Sequence, residues 1–282
     1  MAAGLIDIKR RIKSVTNTKK ITKAMGLVAT SKLRRVRMEL DVNNNYFNSL
    51  EKVAKQLVGC AGLFEPTDYI KGNDSKSRVF IVMASDSGLC GGYNANIALA
   101  LSEYVGSDKA NSLVVSVGQK GISYIKKHGF DTVGEYVEIP DIPTIKEAKV
   151  IYEHVLRLFK NKEVGEVNVV YTKFKSPVTQ EIEIERLLPM SLEAEESQGY
   201  LVEPESKETI EGTFDVYLKG KIINCLVNAK TSEQSARMSA MDSASKNAED
   251  LLDALSVKYN RIRQSAITQE ISEIVGGAEA QK

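Results

Sequence analysis

Apolar positions open the chain at Leu5, Ile8, Ile12 and Val15, a 3-4-3 spacing that lays them along one stripe of a helix. The stripe pauses at Thr18 and Lys19, resumes at Met25, Val28, Val36 and Leu40, and continues through Phe47, Leu50, Ala54 and Leu57. No proline falls within residues 1–65. The pattern predicts one helix of roughly 50 residues, about 75 Å long at 1.5 Å per residue, and that length points to a coiled coil. The competing reading is two ordinary helices broken near Asn43 to Asn45. After Pro204, the last proline, a second pattern runs through Met241, Ala244, Ala248, Leu251, Leu255, Ile262, Ile267, Ile271 and Ile274. Gly276 and Gly277 are expected to end it, giving roughly 65 residues and about 100 Å. Between Ala229 and Ala248 this helix is rich in Ala and Ser, small enough for another helix to approach closely. Two long amphipathic helices at opposite ends of a chain most simply pair antiparallel, which brings the termini together.

The middle of the chain changes period. Val79 to Ala84, Ser112 to Val117 and Val167 to Thr172 read as buried strands. Helical patterns lie between them, near Ala95 to Val105, Lys120 to His128 and Ile145 to Asn161. Such alternation implies a mostly parallel sheet with crossover helices. Glu181 to Leu187 alternates Glu with Ile or Leu, which suits a half-exposed edge or hairpin strand with its glutamates in solvent. A Glu-rich loop from Glu193 to Glu196 is expected to lead out of the domain. The organisation predicted is an N-terminal coiled-coil helix within 1–65, a central α/β domain at 75–205, a C-terminal coiled-coil helix at 209–276 and a tail at 277–282.

Charge is what the overall balance hides. Thirty-eight basic residues face 37 acidic ones, for a net charge of +1. Yet residues 1–40 hold eleven basic side chains against Asp7 and Glu39, whereas Thr179 to Glu211 holds ten glutamates against Arg186 and Lys207. A basic helix suits nucleic acid, an anionic membrane surface or an acidic protein. No aromatic residue that would stack on bases occurs in the first 45 positions, which weakens the first of these. The longest unbroken apolar run, Val79 to Ala84, is far short of the roughly 20 residues of a membrane-spanning helix. The opening segment lacks the apolar core of a secretory signal, so a cytoplasmic location is expected. Three cysteines (Cys60, Cys90, Cys225) and two histidines (His128, His154) cannot supply a disulfide framework or a His-rich metal centre.

One segment resembles a site. Ser85 to Asn96, SDSGLCGGYNAN, follows a buried strand and opens a helix. Gly88, Gly91 and Gly92 would permit close backbone approach, and helix N-termini attract phosphate. The pattern nevertheless matches neither phosphate-binding fingerprint and carries no lysine. It reads first as a tight strand-to-helix turn capped by Asn94 or Asn96, with nucleotide binding as the alternative. Cys90 reads as an inert turn cysteine, and the two histidines as surface or satisfied groups. No catalytic residue, cofactor site or metal site is assigned. Along the last helix Arg237, Gln264, Thr268, Gln269 and Glu270 interrupt the seam, either as plain solvated positions or as groups read by a partner.

Three segments together carry a resemblance: IKSVTNTKKITKAMGLVATSKLRR from Ile12 to Arg35, SDSGLCGGYN, and RIRQSAITQEISEIVGG near the end. In this order and spacing they resemble the gamma-subunit family of the F-type ATP synthases, from one end of the chain to the other. The resemblance implies an α/β fold class: a long antiparallel coiled coil of the N- and C-terminal helices plus a central Rossmann-like α/β domain. It implies a non-catalytic rotor shaft that turns inside a ring of three alpha and three beta subunits. Its foot would rest on the c-ring beside epsilon, at the cytoplasmic face of a bacterial cell membrane, and would meet the membrane only through the c-ring.

By the same resemblance Lys20, Lys23 and Met25 stand at the contact with an acidic lever of a beta subunit. Arg237, Gln264, Thr268, Glu270 and Ser272 stand at positions important for coupling, and Ile267, Ile271, Ile274 and Val275 at an apolar bearing at the shaft tip. Ser87 stands where the family commonly has a basic residue. The dithiol insertion of the chloroplast versions is absent. Two other readings compete on the residues alone: a free α/β enzyme or nucleotide-binding protein with helical dimerisation arms, and a coiled-coil adaptor with a nucleotide-binding-like α/β domain that uses its basic helix on nucleic acid or membrane.

Overall fold

The computed structural model describes residues 2–60, 67–192 and 206–279. Helix α1 (Ala2–Cys60) is followed by a single turn, α2 (Asp68–Lys71), and then by alternating elements. These are β1 (Arg78–Met83), α3 (Tyr93–Val105), β2 (Ser112–Val117), α4 (Gln119–Lys127), β3 (Thr132–Tyr136), α5 (Ile145–Lys160), β4 (Glu166–Phe174) and β5 (Gln180–Leu188). Helix α6 (Lys207–Glu279) completes the order. The chain divides into two units, Met1–Val28 with Met238–Lys282, and Ala29–Arg237. Among the described residues no helix is long and apolar enough to cross a membrane.

In the larger unit, Val79, Ile81 and Met83 alternate with Phe80 and Val82 along β1, and both sets are buried. A strand apolar on both faces belongs at the centre of a sheet covered by helices on each side. The five strands lie in the order β3-β2-β1-β4-β5, parallel except for β5, which pairs antiparallel to β4. One face packs Val79, Ile81, Met83, Val115 and Val117 against α5 and against Phe47 of α1 and Phe214 and Leu218 of α6. The other packs Phe80, Val82 and Val114 against Ile97, Leu101 and Val105 of α3 and Ile125 of α4. The central strands and crossover helices thus form where the sequence periodicity sets them, within two residues at each end. β3, half-exposed along its whole length, carries no apolar run and was invisible to that periodicity.

The single-helix reading of α1 holds, and three other expectations change. Helix α1 runs unbroken through Asn43 to Asn45, where the side-chain amide of Asn224 in α6 donates to Asn43 Oδ1 (2.9 Å) and Asn44 Oδ1 (2.8 Å). Helix α6 runs through Gly276 and Gly277 to Glu279, since glycine weakens a helix by about 1 kcal/mol without forbidding it. Val28 is 55% exposed, and its neighbour Ala29, 1% exposed, occupies the seam instead. Of the β5 glutamates, Glu181 is exposed as expected, but Glu183 and Glu185 are half-buried and partnered. Glu183 and Glu185 accept from the Tyr171 hydroxyl at 3.0 and 2.5 Å, and Glu185 pairs with Lys221 of α6. The Glu193 to Glu196 loop lies outside the described residues.

Candidate functional site

The turn after β1 is built by its own polar groups. Asn94 does not cap α3, whose N-cap is Gly92 without a side-chain bond. Asn94 is buried and folds back: it accepts from the Ser85 backbone N–H (3.0 Å) and donates to Ser85 Oγ (2.7 Å) and to Cys90 Sγ (3.5 Å). Gly91 adopts φ +60, where glycine is favoured, and Leu89 takes φ +62 with its side chain 59% exposed. Gly88 faces open space, and a Cβ on Gly92 would meet only the Asn96 side chain, so neither glycine admits a close backbone neighbour. A close approach occurs instead at Gly118, after β2. There φ is +99 and a Cβ would fall 2.5 Å from the Ala84 carbonyl oxygen.

In open doubly wound sheets, ligands sit outside the carboxyl ends of the strands, where the strand order reverses. Here that point lies between β1 and β4, and α6 occupies it. The Tyr93 hydroxyl is 3.0 Å from the Ala229 carbonyl, and Asn228 Oδ1 accepts from the Phe174 N–H at the end of β4. Ser232 Oγ donates to the Thr172 carbonyl, and Ser235 Oγ to that of Pro177. Every residue from Asn224 to Ser235 is buried, so this stretch of α6 is covered all round. Burial pushes the Tyr93 phenol well above its ordinary pKa, so it acts only as a neutral hydrogen-bonding group.

A chain of charges runs from this stretch to the turn, buried at Lys230, Glu233 and Arg237 and half-buried at Asp86. Asp86 Oδ1 accepts the N–H groups of Gln119 (3.1 Å) and Glu138 (3.0 Å), and its Oδ2 lies 3.3 Å from Lys230 Nζ. Lys230 also faces Glu233 at 3.5 Å, and Glu233 pairs with Arg237 at 2.8 Å. Arg237, 7% exposed, donates through Nη2 to the carbonyl (2.9 Å) and hydroxyl (2.8 Å) of Ser87, and through Nε to the Gly88 carbonyl (3.2 Å). Its guanidinium is therefore engaged inside its own chain, where it braces the turn. Buried charges need such partners, because an unpaired one would forfeit several kcal/mol of solvation. The sequence reading included Arg237 and missed Asp86, Lys230 and Glu233. An Asp beside the Ser-rich turn and a lysine inside an Ala/Ser-rich helical stretch were the available signals.

In the smaller unit, α1 and α6 pair antiparallel. Thr22 Oγ1 and Ser245 Oγ share a hydrogen bond of 2.8 Å, Lys19 reaches Glu249 at 2.8 Å, and Gly26 faces Met241. The pause at Thr18 and Lys19 is thus a seam filled by polar pairs. On α6 the covered positions are Met241, Ala244, Ala248, Leu252, Leu255, Tyr259, Ile262 and Ala266, with Leu252 in place of the expected Leu251, which is 40% exposed. Lys20 and Lys23 are exposed and Met25 is half-buried. Gln264, Thr268, Glu270 and Ser272 are exposed, as are Ile267, Ile271, Ile274 and Val275, at 45–66%. These four large aliphatic side chains are exposed at one helix end, as are Ile21, Leu27, Val42 and Val257 elsewhere on the two helices.

The family model for ATP synthase matches residues 4–281. The ATP synthase gamma chain of Clostridium pasteurianum is 54% identical over 283 residues, covering 100% of both chains. That of Clostridium perfringens is 52% identical, covering 99% of each. The chain belongs to the ATP synthase gamma chain family. Among solved structures, the rotor of the Euglena gracilis mitochondrial ATP synthase superposes with a TM-score of 0.75 at 16% identity, over 95% of this chain and 100% of that one. The central stalk and c-ring structure of Tetrahymena thermophila gives 0.62 at 23% identity, over 80% and 99%. These likenesses extend the gamma-chain fold, two long terminal helices around a mixed sheet, across distant sequences.

Proposed function

We propose that this chain is the central, non-catalytic rotor shaft of an F-type ATP synthase. It couples ion-driven rotation of a membrane c-ring to conformational cycling of a catalytic ring of three alpha and three beta subunits, or runs in reverse during hydrolysis. The observation that carries the reading is the 54% identity, end to end, with an ATP synthase gamma chain. The physical logic is asymmetry. One shaft cannot touch three identical beta subunits equivalently, so it holds their sites in different states, and turning it exchanges them through differential contacts.

In this reading the exposed Lys20 and Lys23, with Met25, meet an acidic segment of a beta subunit, where complementary potential sets register more than affinity. Gln264, Thr268, Glu270 and Ser272 are read by the surrounding ring, and Ile267, Ile271, Ile274 and Val275 turn in an apolar sleeve. Arg237 contributes to coupling through the turn that it braces. Epsilon and the c-ring are the remaining partners, at the cytoplasmic face of a bacterial membrane.

The test is steady-state ATP hydrolysis by purified alpha and beta subunits from the same source, with and without this chain, after sizing the mixture. A stable assembly of three alpha, three beta and one copy of this chain, with much greater sustained turnover, is expected. Competent partners that neither assemble with the chain nor change rate would overturn the reading.

A further inference from the structure

We propose that Asp86 and Lys230 are positioning residues for coupling: with Glu233 and Arg237 they lock the sheet against turning about α6. The inference rests on the rotor reading. Its basis is where the charges lie. Asp86 is a single carboxylate that gathers the turn after β1, the start of α4 and the segment after β3, through its bonds to the Gln119 and Glu138 N–H groups, and ties them to Lys230. The carboxyl ends of three neighbouring parallel strands are thereby fixed to one helix by one ionic chain. Lys230 and Glu233 are 6% and 3% exposed and Asp86 is half-buried, so water screens this chain less than it would a surface pair.

Apolar packing alone resists sliding poorly around a helix axis, since it is non-directional. Hydrogen-bonded ion pairs are directional and fix a rotational setting. The hydrogen bonds beside these charges, from Ser232 to Thr172 and from Phe174 N–H to Asn228, carry the same register to β4. A torque applied to the sheet therefore enters α6 through these groups. Hydrolysis in a catalytic ring around the upper shaft does not need that joint, whereas ion pumping does. Loss of the joint should separate the two activities.

The test uses the complete complex in sealed vesicles, with ATP hydrolysis and ions pumped per ATP measured on the same preparation. Asp86→Ala and Lys230→Met are expected to keep hydrolysis within about twofold of wild type while ions pumped per ATP fall at least threefold. Lys230→Arg, which keeps the charge, should restore most of the yield. Asp86→Asn keeps an acceptor for the two backbone N–H groups and loses only the ionic tie, so it carries the test if Asp86→Ala fails to assemble. Wild-type pumping yield in assembled Asp86→Asn and Lys230→Met would overturn the lock. So would hydrolysis and pumping falling in equal proportion, the mark of a purely structural role. A wild-type chain that fails to assemble at all would instead overturn the rotor reading.

Discussion

At the scale of single residues, the decisive groups are charged side chains that the fold has removed from water. Arg237 has no substitute for its three acceptors on Ser87 and Gly88 or for its pair with Glu233. Arg237→Ala leaves the Glu233 carboxylate, 3% exposed, with only Lys230 at 3.5 Å and removes the bonds to the turn, and is expected to lower the unfolding free energy of the chain by about 2–4 kcal/mol in a urea titration. The Glu185–Lys221 pair makes a pH-dependent contribution. Burial alone would raise the Glu185 carboxyl, but the Lys221 ammonium and the Tyr171 hydroxyl hold it below the usual carboxylate range. Burial likewise opposes the Lys221 charge, yet Cys225 and Glu185 keep its pKa above the ordinary lysine value.

A depressed carboxylate stabilises the fold above its unfolded pKa of about 4.3, and that stability is lost as pH falls through the folded value. A raised lysine stabilises below its unfolded pKa of about 10.4, and that is lost as pH rises through the folded value. Glu185→Gln should therefore cost about 1–3 kcal/mol between roughly pH 6 and 9, with the difference from wild type shrinking in acid. A cost that does not shrink as pH falls from about 6 to about 3, read from urea curves, would contradict the assignment.

At the scale of elements, helix length and helix face were legible to different degrees. The two long patterns, uninterrupted by proline, gave the existence of α1 and α6, and the three apolar runs gave β1, β2 and β4. Which face of each helix is covered was less legible, because neighbouring residues such as Val28 and Ala29, or Leu251 and Leu252, fit a helical stripe almost equally well. Packing chose Ala29 and Leu252. Val28→Ala is accordingly expected to change stability by no more than about 0.5 kcal/mol. Ala29→Leu, forced into a covered seam, should cost about 1–3 kcal/mol, as measured by thermal or urea unfolding. The end of α6 offers a gain. Gly276 and Gly277 are helical and meet no neighbour within 4 Å, so replacing either by Ala should add helicity worth up to about 1 kcal/mol per site. Amide exchange near the C-terminus should slow; unchanged exchange would show that the helix does not extend there in solution.

At the scale of the whole molecule, a sheet with the topology of ligand-binding domains holds its own helix where a ligand would sit. With that crevice filled and Gly118 pressed against Ala84, the purified chain is expected to give no saturable heat with ATP or ADP in titration calorimetry. Micromolar binding would show that α6 yields the crevice. The glycine turn illustrates why the sequence invited a nucleotide reading. Its glycines and its place between strand and helix are local features, and they match a phosphate loop loosely. What denies that use lies more than a hundred residues away, in Lys230, Glu233 and Arg237.

Sequence alone determined that two long amphipathic helices flank an α/β sheet, and that the basic charge is concentrated in the first helix. Periodicity and composition are local, and apolar burial enforces them element by element. The motifs in their order also carried the family. Only the tertiary structure decided that Asn224 pairs with the side chains of Asn43 and Asn44, that Glu183 and Glu185 of β5 are tied to Tyr171 and Glu185 to Lys221, and that Asp86 meets Lys230. Those partners are distant in sequence, and no local period encodes which charge will find which once both leave water. The cost of burying an unpaired ion then makes each pairing specific.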